Sequence, residues 1–341
     1  MNTSDDFLSV HEAWVEVNFN PNWTLKAGRQ ELNYDNFRFL GNVDWAFQGR
    51  SHDLALIKYE KEQSKLHLGT AFNQQQQRLS ETNYELVNQY KTAQFIRYQD
   101  VLSSVNFSLL FWNEGREKDK KQNFRQTFGI SDLTTKVAGL ELKSFFYAQS
   151  GKDIQARSVS AFDLGIDLKK SFVLDSAGVK KIEFAFGGEW ISGSKQGSAK
   201  NNSFSPLYGT NHLFNGYMDY FFVGGAFENS VGLEDFYLKA RYTPGSRFWI
   251  QSDLHHFSSQ QDFTNTETLR KESYLGIEWD LLAGILINQS VSVQLGYSRY
   301  WGSDGFHQLF QNTNPKGVQD WAYAMLIVRP TIKNKFIGVR I

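Results

Sequence analysis

Residues Ala161, Phe162, Asp163, Leu164, Gly165, Ile166, Asp167, Leu168 and Lys169 alternate without a break, with large apolar side chains at the even positions and small or charged ones at the odd positions. Successive side chains of a strand point to opposite faces, so this period of two marks a strand whose faces meet different surroundings. The pattern continues on either side. Ile182, Phe184, Phe186 and Trp190 interleave with Lys181, Glu183, Gly187 and Glu189, and Phe236, Leu238, Ala240 and Tyr242 oppose Asp235, Tyr237, Lys239 and Arg241. Leu275, Ile277, Trp279 and Leu281 oppose Tyr274, Gly276, Glu278 and Asp280, while Val291, Val293, Leu295 and Tyr297 oppose Ser292, Gln294, Gly296 and Ser298. Near the N-terminus Ala13, Val15, Val17 and Phe19 alternate with Glu12, Trp14, Glu16 and Asn18.

Extended over the chain, the alternation predicts sixteen strands, at 10–19, 23–32, 51–60, 64–73, 90–98, 104–112, 122–130, 134–148, 156–170, 179–192, 235–243, 247–257, 270–282, 290–300, 320–328 and 333–341. The connections are short at 20–22, 61–63, 99–103, 131–133, 171–178, 244–246, 283–289 and 329–332. They are mostly longer at 33–50, 74–89, 113–121, 149–155, 193–234, 258–269 and 301–319. Short turns alternating with long loops are the connection pattern of an outer-membrane barrel with periplasmic turns and extracellular loops. The expected fold class is therefore all-β, a transmembrane antiparallel up-and-down barrel, with 1–341 as one domain and 193–234 as a long extracellular loop. The first strand enters a short turn and so runs toward the periplasm. Because such barrels begin in the periplasm and cannot leave an open edge in lipid, a strand is expected before Met1 and closure between the first and last strands is expected to be incomplete.

Composition narrows the alternatives. The 341 residues carry 36 basic and 36 acidic side chains, which removes the basic excess of a nucleic-acid binder, and the absence of cysteine removes disulfides and thiolate metal sites. The longest apolar run, 281–287, ends at Asn288, far short of the roughly 20 residues of a spanning helix. Among the aromatics, Trp23, Trp112, Trp190, Trp249, Trp301 and Trp321 fall near strand ends, where barrels carry interfacial girdles. A soluble sandwich or propeller is the competing fold, but no repeat of about 40 residues is present.

Two segments carry a family resemblance: Gly28-Arg-Gln-Glu-Leu-Asn-Tyr-Asp-Asn-Phe-Arg38-Phe-Leu-Gly41-Asn-Val-Asp44-Trp45 with Gly49-Arg50-Ser51-His52-Asp53, and Leu207-Tyr-Gly-Thr-Asn-His-Leu-Phe-Asn-Gly-Tyr-Met-Asp-Tyr-Phe221. They resemble the alginate-export family of outer-membrane barrels in its Bacteroidetes-type form, departing from it at Asp35-Asn36 and His52. The resemblance implies a monomeric barrel of about eighteen strands whose arginine-rich lumen passes an acidic polysaccharide. It also implies a place in the bacterial outer membrane, with outer-membrane lipid and lipopolysaccharide around it.

A conduit for a polyanion needs fixed positive charge in a low-dielectric wall. Parity places Lys26, Arg125, Lys143, Lys239 and Arg241 in the lumen, and the family motif adds Arg29, Arg38 and Arg50. The same parity places Glu12, Glu16, Glu141, Asp163, Asp167, Glu183, Glu189, Asp253, Glu272, Glu278 and Asp280 inside, which argues against a uniformly basic pore. Arg29, Asp44, Arg50 and Asp53 are close enough in sequence to form one cluster, either folding loop 33–50 inward as a constriction or only stapling it. His255 and His256 point to opposite faces and cannot share a metal, while His67 and His255 are the histidines available to a dispersed Ser-His-Asp site. The expected function is a channel, not an enzyme, without cofactor or metal, for an anionic or carbohydrate-like solute. The alternatives are a nonspecific porin, an outer-membrane enzyme, and a structural barrel plugged by 193–234.

Overall fold

The structure is a computed structural model that describes residues 10–45, 49–73, 89–206, 208–221, 230–266, 268–310 and 318–341. Fifteen strands follow one another: β1 Ala13–Asn20, β2 Trp23–Gln30, β3 His52–Lys61, β4 Ser64–Phe72, β5 Thr92–Leu102, β6 Val105–Lys118, β7 Lys121–Val137 and β8 Leu140–Lys152. They continue with β9 Ser158–Val173, β10 Lys181–Ile191, β11 Leu233–Gly245, β12 Phe248–Thr264, β13 Lys271–Asn288, β14 Val291–Gly302 and β15 Val318–Val328. A helix, α1 Asp304–Phe310, precedes β15. Each strand pairs antiparallel with its sequence neighbour, giving one up-and-down sheet in the order β1 to β15. β1 and β15 do not pair with each other, so the barrel is open at that seam, as expected. Loops 31–51, 192–232 and the α1 connection leave the same rim; of the connections there, most of 74–89 and 311–317 lie outside the described residues.

Several sequence expectations are corrected. The turn expected at 131–133 is a bulge within β7, where the register shifts between Ile130 and Leu133 and Asp132 has φ 52°. The reversal comes at Ala138 and Gly139, both with positive φ, which is the two-residue geometry whose twist matches flanking strands. The loop expected at 113–121 shrinks to Asp119 and Lys120, again both at positive φ, because β6 and β7 run on to meet them. No sixteenth strand forms at 333–341. That segment turns into the barrel, where the Gln294 side chain donates to the carbonyl of Ile337 and accepts from its amide, replacing a strand ladder with wall side chains.

The two faces separate as the alternation requires. Phe162, Ile166, Phe184, Phe186, Leu238 and Leu295 are exposed, Phe186 and Leu238 by 58% and 53%, on the face opposite the buried Asp163, Glu183, Asp253 and Asp280. Leu164, Ile277 and Val293 lie on the same outer face and are half-buried by their neighbours. Leu275 departs from the pattern: at a bulge beside Gly276 (φ 154°) the register shifts and turns Leu275 inward, against a cluster that includes Phe257 and Phe306. Trp112 and Trp249 also point inward and are buried, so they are not girdle residues; Trp23, Trp301 and Trp321 are exposed. On the inner face aromatic rings lie across glycines of the neighbouring strand. A Cβ on Gly165 would come within 2.1 Å of the Phe145 ring, and one on Gly187 within 2.5 Å of Tyr237, so these rings are held flat against the wall.

An outer face of phenylalanine and leucine is stable only in a solvent as apolar as itself. Phe184→Arg is therefore expected to lower the folding stability of vesicle-reconstituted protein by about 2–4 kcal/mol near the bilayer midplane. Denaturant titration in lipid vesicles measures it, and an unchanged midpoint contradicts the placement.

Candidate functional site

The interior is occupied by two loops that meet. Gly41 N donates to Tyr208 O at 2.8 Å, Thr210 N to Phe37 O at 2.9 Å, and Val43 N to the Thr210 hydroxyl at 3.0 Å. The contact is close enough to demand glycine on both sides: a Cβ on Gly41 would lie 2.4 Å from Thr210 Oγ1, and one on Gly209 2.1 Å from Arg38 O. The loop parts of the two segments singled out in the sequence, around residues 37–43 and 208–210, are thus packed against each other inside the barrel. Phe39 and Tyr208 from the loops pack with Trp112 and Tyr147 from the wall at ring separations of 5.5–6.0 Å. Deeper in the second loop, Phe221 sits 4.5 Å from Phe257 and 6.3 Å from Phe306. Ring pairs of this kind contribute about 0.5–1.5 kcal/mol each beyond area burial.

Charge fixes the loops to the wall. Arg38 is fully buried and its Nε lies 3.0 Å from Asp163 and 2.8 Å from Glu189, with Asn211 and Asn215 oxygens accepting from its terminal nitrogens. Desolvation pulls the Arg38 pKa down, but the charges of Glu189 and Asp163 outweigh it and leave the guanidinium above its ordinary value. Asn215 in turn donates to Glu189 and Asp235, and the backbone amides of Tyr217 and Met218 donate to one oxygen of Glu278 at 2.6 and 2.9 Å. Arg97 of β5 holds Asp35 at 2.6 Å and stacks over Tyr34. Asp163, Glu189, Asp235 and Glu278 are therefore met by donors from the loops, which is what a buried anion requires, while Asp253 is met by Gln251 and Lys239 of the wall itself.

Of the candidate residues, Lys26, Arg125, Lys143, Lys239 and Arg241 lie on the inner face, as parity expects. Lys26 rests 3.9 Å over Trp14, Arg125 is buried beside its cross-strand neighbour Glu114, Lys239 lies 3.6 Å from Asp253, and Arg241 donates to Gln251. The expected cluster of Arg29, Asp44, Arg50 and Asp53 is not formed. Arg29 and Asp53 are cross-strand neighbours on the outer face near the loop rim, joined by a two-pronged pair at 2.9 and 2.8 Å and exposed by 43% and 47%. Arg50 points inward and donates to Gly209 O at 2.5 Å; burial holds its pKa down to about 10, still charged at neutral pH. Asp44 pairs with Lys335 at 3.1 Å while its carbonyl accepts from Arg329. The wall offers no catalytic triad among the described residues: His255 is 2.9 Å from Asp235 with no serine bonded to it, and His67 lies between Tyr34 and Glu60.

On the turn side a cavity open to solvent lies between the wall and the inward loop. Lys143, Lys169, Asp167, Tyr237, Lys239 and His255 line its sides, and Leu213, Phe214 and Asn215 close its end. At its mouth Glu141 is shared by Lys143 at 3.0 Å, Lys169 at 3.2 Å and Lys136 at 3.8 Å, leaving an excess of positive charge. Arg340 reaches the same space, 3.8 Å from Asp167 and over the Phe214 ring.

No protein-family model matches the chain, and no curated protein does. Solved structures do. Pseudomonas aeruginosa OpdL aligns with a TM-score of 0.57 at 12% identity, covering 92% of this chain and 81% of its own. Pseudomonas aeruginosa OccK1 (OpdK) aligns at 0.55 and 11%, covering 92% and 77%, and the outer membrane protein OprD from the same organism at 0.53 and 11%, covering 89% and 74%. Likeness at this identity establishes the fold, an up-and-down barrel of the outer-membrane type. The neighbours are not alginate exporters, so the resemblance of the two loop segments narrows to that coarser statement.

Arg38→Ala strands Asp163 and Glu189 without their cation and is expected to cost loop docking about 3–5 kcal/mol. Arg29→Ala breaks an exposed pair and is expected to cost at most about 1 kcal/mol. Limited proteolysis and amide exchange should show segment 203–221 opening in the first variant and not the second; equal protection in both contradicts the latch.

Proposed function

We propose that the protein is an outer-membrane channel for passive movement of small charged solutes, and that its two inward loops hold a closed state. Three features support the reading: the apolar outer face, the charged and hydroxylated inner face, and the fold shared with outer-membrane barrels of known structure. The observation that carries it is the turn-side cavity ending on Phe214 and Asn215 of the loop, so that a solute entering from that side meets a movable floor rather than a wall. In this orientation the short turns face the periplasm and the loops the exterior.

The lining bears on the solute. A polysaccharide needs a continuous bore, whereas the mid-depth here is packed with loop side chains. A uniformly cationic track is also lacking, since Asp163, Glu183, Glu189, Asp253, Glu278 and Asp280 dominate the buried wall. The three lysines around Glu141 favour an anion at the mouth, and the carboxylates beyond favour a positive group deeper in, so small solutes carrying both signs suit the gradient better than a polyuronate. The density of loop-to-wall contacts favours a second reading, a barrel closed permanently and serving a structural role.

Planar-bilayer recording of the full-length protein separates them. The channel reading expects brief openings in the native protein and larger, longer ones in Arg38→Ala. It also expects Lys143→Glu with Lys169→Glu to shift ion preference toward cations, most strongly at low salt, where screening is weakest. Silence from both native protein and Arg38→Ala, with folding intact, favours the structural barrel.

A further inference from the structure

Six of the turn-side connections, at 21–22, 62–63, 103–104, 138–139, 246–247 and 289–290, are two residues long. The seventh hairpin, between β9 and β10, has seven connecting residues, 174–180. Two would satisfy the topology, so the extra length asks for another cause. The segment is ordered by its own bonds: Leu174 N donates to Lys180 O at 2.8 Å, and the Asp175 carboxylate accepts from the amides of Val179 and Lys180 at 2.9 and 3.0 Å. Yet every residue from Ser171 to Lys180 is exposed, including Phe172, Val173, Leu174 and Val179.

The hairpin extends beyond its neighbour, because β8 begins at Leu140, opposite Lys170. Val137 and Leu140, on the adjoining turn, are exposed as well, and Lys170 reaches across to donate to Ala138 O at 3.2 Å. Phe172 belongs to the outer face: it is the cross-strand neighbour of Ile182 and packs edge-on against Phe184, so the apolar belt reaches the hairpin through Phe184 and Ile182, past Lys170 on β9. Val173 is paired with Lys181 on the opposite face. Lys170 and Lys180 make no ion pair among the described residues, and Lys181 is held by Glu183 at 2.9 Å. Lys170 is rooted one outer-face step deeper than Phe172 but turns its ammonium to the Ala138 carbonyl at the barrel end, and Lys180 follows Phe184 and Ile182 of β10 toward the turn. The two ammonium groups thus flank the end of the apolar belt, as snorkelling lysines do where acyl chain gives way to phosphate.

We infer that the β9–β10 hairpin with the adjoining β7–β8 turn is a binding site for anionic phospholipid of the turn-side leaflet. Phe172 enters the acyl region while Lys170 and Lys180 engage lipid phosphates. This rests on the membrane placement proposed above and adds to it a lipid class and a location. The site fixes one sector of the barrel at the interface.

The protein contains no cysteine, so single-cysteine labelling needs no background removal. A polarity-sensitive fluorophore is placed by Phe172→Cys, Val173→Cys and, as a belt reference, Leu238→Cys, in full-length protein reconstituted into phosphatidylcholine vesicles with or without phosphatidylglycerol. Lipid-borne quencher is expected to reach positions 172 and 238, and water-soluble quencher position 173. Brominated phosphatidylglycerol is expected to quench position 172 in preference to brominated phosphatidylcholine, and that preference to fall about fivefold for each of Lys170→Gln and Lys180→Gln. A label at 172 reached only from water, with 238 reached from lipid, overturns the site while leaving the barrel in its membrane. A preference unchanged by both lysine substitutions overturns the headgroup assignment, and a 238 label inaccessible to lipid overturns the membrane placement itself.

Discussion

Every strand of this sheet has to satisfy two solvents at once. Between the two edge strands the backbone is paired along the ladder, so what remains there is the side-chain alternation, which places phenylalanine and leucine on one surface and carboxylates, amides and hydroxyls on the other. The inner surface then sets its own condition. Asp163, Glu189, Asp235 and Glu278 are buried from water, and a buried carboxylate must be met by donors or lose its charge. The donors come from the loops: the Arg38 guanidinium, the Asn215 amide and two backbone N–H groups at Tyr217 and Met218. The loops fold inward because the wall is acidic, and the wall can be acidic because the loops fold inward.

That reciprocity explains why the interior is neither a uniform aqueous pore nor an ordinary core. Near the loop rim, aromatic rings from both partners exclude water and strengthen each ion pair they surround. Toward the turns the loops end, charges become partly solvated, and the cavity under Phe214 opens. A buried ion pair is weak support for net stability but strong support for a defined arrangement, since losing one partner strands the other.

The strands were legible in the sequence because a period of two over eight or more residues has one physical reading. Their ends were less so. Ser131, Asp132 and Leu133 carry a turn-like residue but form a bulge, and Ala138-Gly139 reverses the chain with only one residue of obvious turn character. Parity identified the inner cations Lys26, Arg125, Lys143, Lys239 and Arg241. Arg29 was placed inside on its motif rather than its parity; Leu25, Ala27 and Arg29 share a face with Ile57, Ala55 and Asp53, and that face is outside. The partners of Arg38 lie 125 and 151 positions away on β9 and β10, and nothing in local pattern pairs them. The inward turn of 333–341 was equally hidden, because it depends on where the Gln294 and Gln251 side chains lie.

The central claim is that a single sheet separates lipid from a filled, polar interior, and a nitroxide scan of β10 in lipid vesicles tests it most directly. Spin labels at successive positions from Lys181 to Ile191 are each read for collision with oxygen, which concentrates in lipid, and with a water-soluble nickel chelate. The account predicts a period of two: oxygen access high at Ile182, Phe184, Phe186 and Trp190, and low access to both reagents at Ala185, Gly187 and Glu189 behind the loops. Access that does not alternate, or high nickel access at Phe184 and Phe186, would contradict it.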